Sequence, residues 1–166
     1  MNVKPIVLKE HEVRAILDGR KSQLRRVVTG NARKMLTCTD PDIIAKHTPL
    51  YEIGTRLWVR EPFVYPDVYK ADTPREDLHK YKWRPQTWMT RGMSRLTLVV
   101  KDIRIERLRE ITESNARAEG IRSPLRYVGA QRDDFAAMWD LYTKKGYRWV
   151  DNPWVWVIEF EKEAEG

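Results

Sequence analysis

A chain of 166 residues with 42% apolar and 33% charged side chains suits one domain with a real core and excludes wholesale disorder. Its lone cysteine, Cys38, leaves no internal disulfide to form, no apolar run approaches the ~20 residues that span a bilayer, and MNVKPIVLKEHE lacks the signal-peptide pattern, so a reducing, cytoplasmic setting without a membrane partner is expected. The net charge is +7, but residues 1–34 carry nine Lys or Arg against three Asp or Glu, so the positive excess is local, as polyanion binding requires.

Lys4–Lys9 (KPIVLK) reads as a short strand. Glu10–Gly19 follows as a helix whose Val13, Ile16 and Leu17 share one buried face, with Gly19 as its stop. Lys21–Val28 carries no helical stripe and ends in a β-branched pair, which predicts an extended strand. Thr29–Leu50 is polar, contains Asp40-Pro41 and Thr48-Pro49, and is expected to be a loop. Thr55–Glu61 is a strand with Leu57 and Val59 alternating against Arg56, Trp58 and Arg60. Pro62–Gly92 is a long Pro-rich excursion, and such a stretch inside a compact domain usually has a role.

Arg95–Leu108 alternates as one long strand or a hairpin. Thr112 can cap a helix ending at Ala118 or Glu119, stopped by Gly120. Gln131–Lys145 is the clearest helix, with Phe135, Met138, Trp139 and Tyr142 on one stripe. Pro153–Glu161 is a strand that divides Trp154, Trp156, Ile158 and Phe160 from Val155, Val157, Glu159 and Glu161. Strands mixed irregularly with three helices predict an α+β domain, a small barrel or strongly bent sheet with helices at its ends, rather than a doubly wound sheet.

Several chemistries have no support. There is no GxxxxGK[ST], no GxGxxG after a strand and no GxSxG. His11, His47 and His79 lie far apart and no CxxC exists, so neither a metal nor a cofactor is expected. What remains is the run GRKSQLRR at Gly19–Arg26. Arg20, Lys21, Arg25 and Arg26 are phosphate- or base-edge donors, and Ser22 adds a hydroxyl. A second candidate surface joins Arg60 and Glu61 to the excursion, where Trp83 and Trp88 stand near Arg84 and other bases in a pattern suited to stacking on unpaired bases. Glu61 and Glu119 are candidate proton carriers for a pocket shared with Lys21.

The blocks RAILDGRKSQLRRVV, YEIGTRLWVRE, SRLTLVVKDIRIERLREITESNARAEGI and NPWVWVIEFE, in that order, resemble the ASCH family in its bacteriophage-borne branch. The resemblance covers most of the chain outside 29–50 and 62–92. It implies a PUA-like fold, a small β-barrel with flanking helices, and a cleft suited to RNA or a modified base. Some relatives are amidohydrolases of N-acetylated cytidine and others are described as ribonucleases. Carried over by position, the amidohydrolase Lys falls on Lys21, its Glu on Glu119 and its Thr on Leu24, which has no nucleophile to offer. Gly19, Lys21 and Arg26 fit the broader signature. Three readings stay open: a module binding RNA, single-stranded DNA or a modified nucleoside; a hydrolase using Lys21 and Glu119 with Arg26 orienting the substrate; and a phage protein that blocks a host nucleic-acid enzyme.

Overall fold

The strand Trp154–Lys162 is the organising element, paired on both sides. A computed structural model describes residues 2–164, and it contains β1 (Val3–Val7), α1 (Glu10–Leu17), β2 (Gln23–Val27), α2 (Gly30–Met35), α3 (Pro41–His47) and β3 (Arg56–Arg60). There follow a two-stranded ribbon of β4 (Phe63–Val64) and β5 (Val68–Tyr69), then β6 (Thr97–Arg107), α4 (Glu113–Ala118), α5 (Ala130–Tyr142) and β7 (Trp154–Lys162). Five strands form one mixed sheet in the order β1-β3-β6-β7-β2, with β1 parallel to β3 and the remaining pairs antiparallel. The ladders found among the described residues leave β1 and β2 as its edges. At those edges the Arg26 side chain of β2 reaches the Val7 carbonyl of β1 at 3.2 Å.

Alternation in β7 builds both cores. Trp156, Ile158 and Phe160 enter one with Leu24, Leu57, Leu98 and Val13, and Val155 and Val157 enter the other with Leu108, Ile111, Ala116 and Phe135. The first core is roofed by α1 and α3, the second by α4 and α5. Each fully buried Leu or Ile contributes about 1.5–3 kcal/mol. The division read from the sequence of this strand therefore holds in space.

Three expectations are corrected. Thr29–Leu50 is not a loop, because α2 and α3 occupy much of it. Asp40-Pro41, read as a turn, instead starts α3: the Asp40 carboxylate accepts from the Asp42 amide at 2.8 Å, and Pro41 occupies the first helical turn, where its missing N–H costs nothing. Leu17 does not join the buried face of α1, being 37% exposed, and Ala15 takes its place beside Val13 and Ile16. The stretch 62–92 folds into the β4–β5 ribbon and short 3-10 segments, with Met89 fully buried. β6 is one strand, with a bulge between Val100 and Asp102.

Gly120 fixes how the site closes. It follows α4 with φ +92°, and a Cβ there would stand 2.9 Å from the Ala15 Cβ and 3.3 Å from the Lys21 Cβ. Only glycine lets the end of α4 press against α1 and the start of β2 so closely.

Candidate functional site

Lys21, Gln23 and Arg25 lie on one face of the β2 segment and are almost wholly buried, whereas Leu24 turns into the first core and is inaccessible. The period of two that makes Leu24 a core residue thus places three polar neighbours on the side of α4 and α5. The Lys21 ammonium donates to Glu119 Oε2 at 2.5 Å and to the Glu119 carbonyl at 3.1 Å. Arg25 Nη1 donates to Glu119 Oε1 at 2.9 Å and to Gln23 Oε1 at 2.8 Å, and its Nη2 donates to Glu106 at 2.6 Å. Gln23 and Arg104 both donate to Glu159, at 2.9 and 2.7 Å. Lys21, Arg25 and Arg104 are thus matched by Glu106, Glu119 and Glu159, with Asp102 also beside Arg104. The network carries no cationic excess, although its sequence reads as a basic cluster.

Beside this network lies a cleft of about 580 Å³, between β2, the start of α1 and the C-terminal half of α5. Arg25, Arg26 and Glu119 line one part of it, Lys9, His11 and Glu12 another, and Phe135, Trp139, Tyr142 and Tyr147 supply aromatic surface. A smaller cavity of about 180 Å³, bounded by Arg20, Lys21 and Gly120, shares His11, Glu12, Glu119 and Met138 with it as a common wall. The His11 and Tyr142 rings stack at 4.6 Å and 13°, and the Lys9 ammonium sits 3.7 Å from the Tyr142 centroid. Lys144 is exposed at the rim.

The electrostatics of the wall follow from these neighbours. Burial works against ionisation of Glu12, but the Arg26 and Lys21 charges and the Lys9 amide, which it accepts at 3.0 Å, hold its pKa at about 2. Burial depresses the His11 pKa; Lys21 and Lys9 act in the same direction, while Glu12 and Glu10 oppose. His11 is therefore a neutral imidazole at pH 7. Lys9 is lowered, first by burial and also by Arg26.

Five of the predicted site residues meet at the two cavities, and the others lie elsewhere. Arg25, Arg26 and Glu119 meet in the larger cleft, and Arg20 and Lys21 join Glu119 at the smaller cavity. Arg20 also clasps Asp18 at the end of α1 and donates to the Gly120 carbonyl at 2.8 Å. Ser22 is exposed and lines neither. Arg60, Glu61, Trp83, Arg84 and Trp88 line neither as well. Arg60 rests 4.6 Å from the Trp58 ring centroid, and Glu61 is fully buried in a two-pronged pair with Arg95, its pKa pushed up by burial against that pair. Trp83 donates to the Leu78 carbonyl at 2.9 Å, and Arg84 lies 5.9 Å from Trp88, which is 63% exposed. From the same excursion Gln86 does reach the cleft. Sequence reasoning missed Lys9, His11, Glu12, Lys144 and Tyr147. Trp139 and Tyr142 were visible as a helical stripe, but a stripe alone does not distinguish a core from a cleft wall. Among the described residues no cluster of three or more His, Cys, Asp or Glu is placed to hold a metal, and no helix is long and apolar enough to cross a membrane.

No protein-family model and no curated protein matches this chain. Solved structures do resemble it. A hypothetical protein, PH0355, is 13% identical, with 98% of this chain and 100% of that one aligned at a TM-score of 0.51. The likeness is one of fold. An ASCH domain from Lactobacillus crispatus JV V101 is 12% identical over 97% of this chain and 79% of its own, at a TM-score of 0.44. Protein EF3133 from Enterococcus faecalis V583 is 11% identical over 97% and 75%, at 0.48.

Proposed function

We propose that the chain is an ASCH-type module of PUA-like, barrel-forming architecture that binds a nucleotide unit, as RNA, single-stranded DNA or a modified nucleotide, in the cleft between β2, α1 and α5. The family reading and its bacteriophage-borne branch rest on the sequence blocks quoted above. The observation that carries the function is the cleft itself: its volume falls in the range of small-ligand sites, its wall is aromatic, and its cations stand at the edge. An aromatic wall stacks on a base of any sequence, and Lys9 and Lys144 neutralise phosphate.

Fluorescence anisotropy with a labelled single-stranded RNA oligomer tests this reading. Binding should weaken steeply with salt, and Lys9→Ala or Lys144→Ala should each lower the log–log slope by about one. Salt-independent or absent binding to both RNA and DNA oligomers contradicts it.

A second reading, hydrolysis of a modified nucleoside, is favoured by one observation: Lys21 and Glu119 are in direct contact at the wall between the two cavities. Leu24 offers no hydroxyl, and Ser22 lines neither cavity, so any hydrolysis would use water activated by this pair. Loss of turnover on N-acetylated cytidine in Lys21→Ala and Glu119→Gln with retained binding supports it; absence of turnover in the unaltered protein removes it. Action as a blocker of a host nucleic-acid enzyme remains a third use of the same surface, tested by pull-down with acidic host partners.

A further inference from the structure

The polar floor of the cleft and its rim differ in charge. The floor at Arg25 and Glu119 belongs to the buried network with Lys21 behind it, in which cations and carboxylates cancel. A phosphate placed there would meet Glu119 as well as Arg25 and would have to displace it from its pair. The rim carries Lys9 and Lys144. A ligand matching both has a neutral head and an anionic tail, which is the shape of a nucleotide with its base inward.

Two side chains of this cleft each hold a polar atom with nothing to bond. Arg25 spends both terminal nitrogens on Gln23, Glu119 and Glu106, yet its Nε is buried without a partner. The Nδ1 of His11 is likewise buried and unpaired, while its ring is held by the stack on Tyr142. Buried polar groups in folded proteins are nearly always satisfied; the Thr55 hydroxyl and the Nε atoms of Arg60 and Arg132 are also unpaired outside the cleft, but His11 and Arg25 line one cleft together, where a ligand can supply the partner. Arg25 Nε–H can only donate, and a neutral imidazole nitrogen donates or accepts according to its tautomer.

Resting on the nucleotide-binding reading above, we propose that Arg25 Nε and His11 Nδ1 are the base-reading pair, taking a nucleobase carbonyl and its neighbouring ring nitrogen while the phosphate stays at the rim. Both atoms are buried, so binding a base requires the half-exposed Tyr142 ring, which stacks on His11, and the packing around Arg25 to shift.

The test is isothermal titration of the four ribonucleoside 5′-monophosphates against ribose 5-phosphate, in the unaltered protein and in two variants. Because Arg25 is tied into the buried network, His11 is the residue to change. His11→Phe keeps a ring for the Tyr142 stack and removes the nitrogen; His11→Asn restores a polar atom near the Nδ1 position. At least one nucleotide should bind the unaltered protein more tightly than ribose 5-phosphate. His11→Phe should weaken that nucleotide on the order of tenfold without altering ribose 5-phosphate, and His11→Asn should regain part of the loss. If the RNA oligomer binds but no nucleotide outbinds ribose 5-phosphate, or if His11→Phe binds every nucleotide as the unaltered protein does, the base-reading pair is overturned and the binding module stands. If neither the oligomer nor any nucleotide binds, both readings fall.

Discussion

Glu12 shows how single residues tune the cleft. It lies between Arg26 at 3.3 Å and the Lys9 amide, with its side chain 11% exposed and its pKa held at about 2 against an ordinary 4.5. A carboxyl depressed in the fold stabilises fully above its unfolded pKa and loses that contribution as pH falls through its folded one. Stability should therefore hold down to about pH 5 and then decline towards pH 2, by up to about 3 kcal/mol from this group. Urea unfolding across that range checks it, and Glu12→Gln should flatten the decline. Glu119 makes a sharper case, since it is the shared acceptor of Lys21 and Arg25. Glu119→Ala leaves two buried cations short of a partner, and removing one member of a buried pair costs about 3–5 kcal/mol. Thermal unfolding should show a fall on the order of 10 °C in a domain of this size; a fall of a degree or two would mean that water already serves these groups.

At the scale of elements, α4 and α1 are joined at Gly120. Gly120→Ala meets both a left-handed backbone and the Ala15 Cβ at 2.9 Å, so it should destabilise by more than the ~1 kcal/mol typical of a strained position alone, and denaturant midpoints will read it. Asp40→Ala removes the α3 cap and should cost about 1 kcal/mol. These elements also show what the sequence makes legible. The period of two in β7 and the stripe of α5 declare themselves, because one residue's periodicity follows from one surface to bury. Thr112 and Gly120 mark α4 correctly through their cap and stop chemistry. The helices in 29–50 stayed hidden because each has only six or seven residues and the first buries no side chain fully. The cleft was half legible. Arg25, Arg26 and Glu119 announce themselves by charge and position, but the cancelling of charge is a long-range fact. Arg25 meets Glu119 across 94 residues and Glu106 across 81, and no local pattern records that.

Across the whole molecule, the +7 charge does not act through its densest run. Inside GRKSQLRR, Lys21 and Arg25 are consumed by the buried network, Arg20 binds Asp18, and Arg26 binds Glu12. The field seen by a polyanion comes from the rim and from neighbouring surface such as Arg33, whose side chain meets the Tyr147 hydroxyl at 2.7 Å beside the cleft. Affinity should therefore fall with salt by a few phosphate contacts' worth, not by one for every Lys and Arg of the N-terminal fifth. The central claim is that the ligand enters between β2, α1 and α5. Backbone amide NMR during titration with a single-stranded RNA oligomer tests it most directly. Shifts concentrated at Lys9–Glu12, Arg25–Val27 and Trp139–Tyr147 are the predicted result; shifts confined to Arg60–Glu61 and Trp83–Trp88, or none at all, would contradict it.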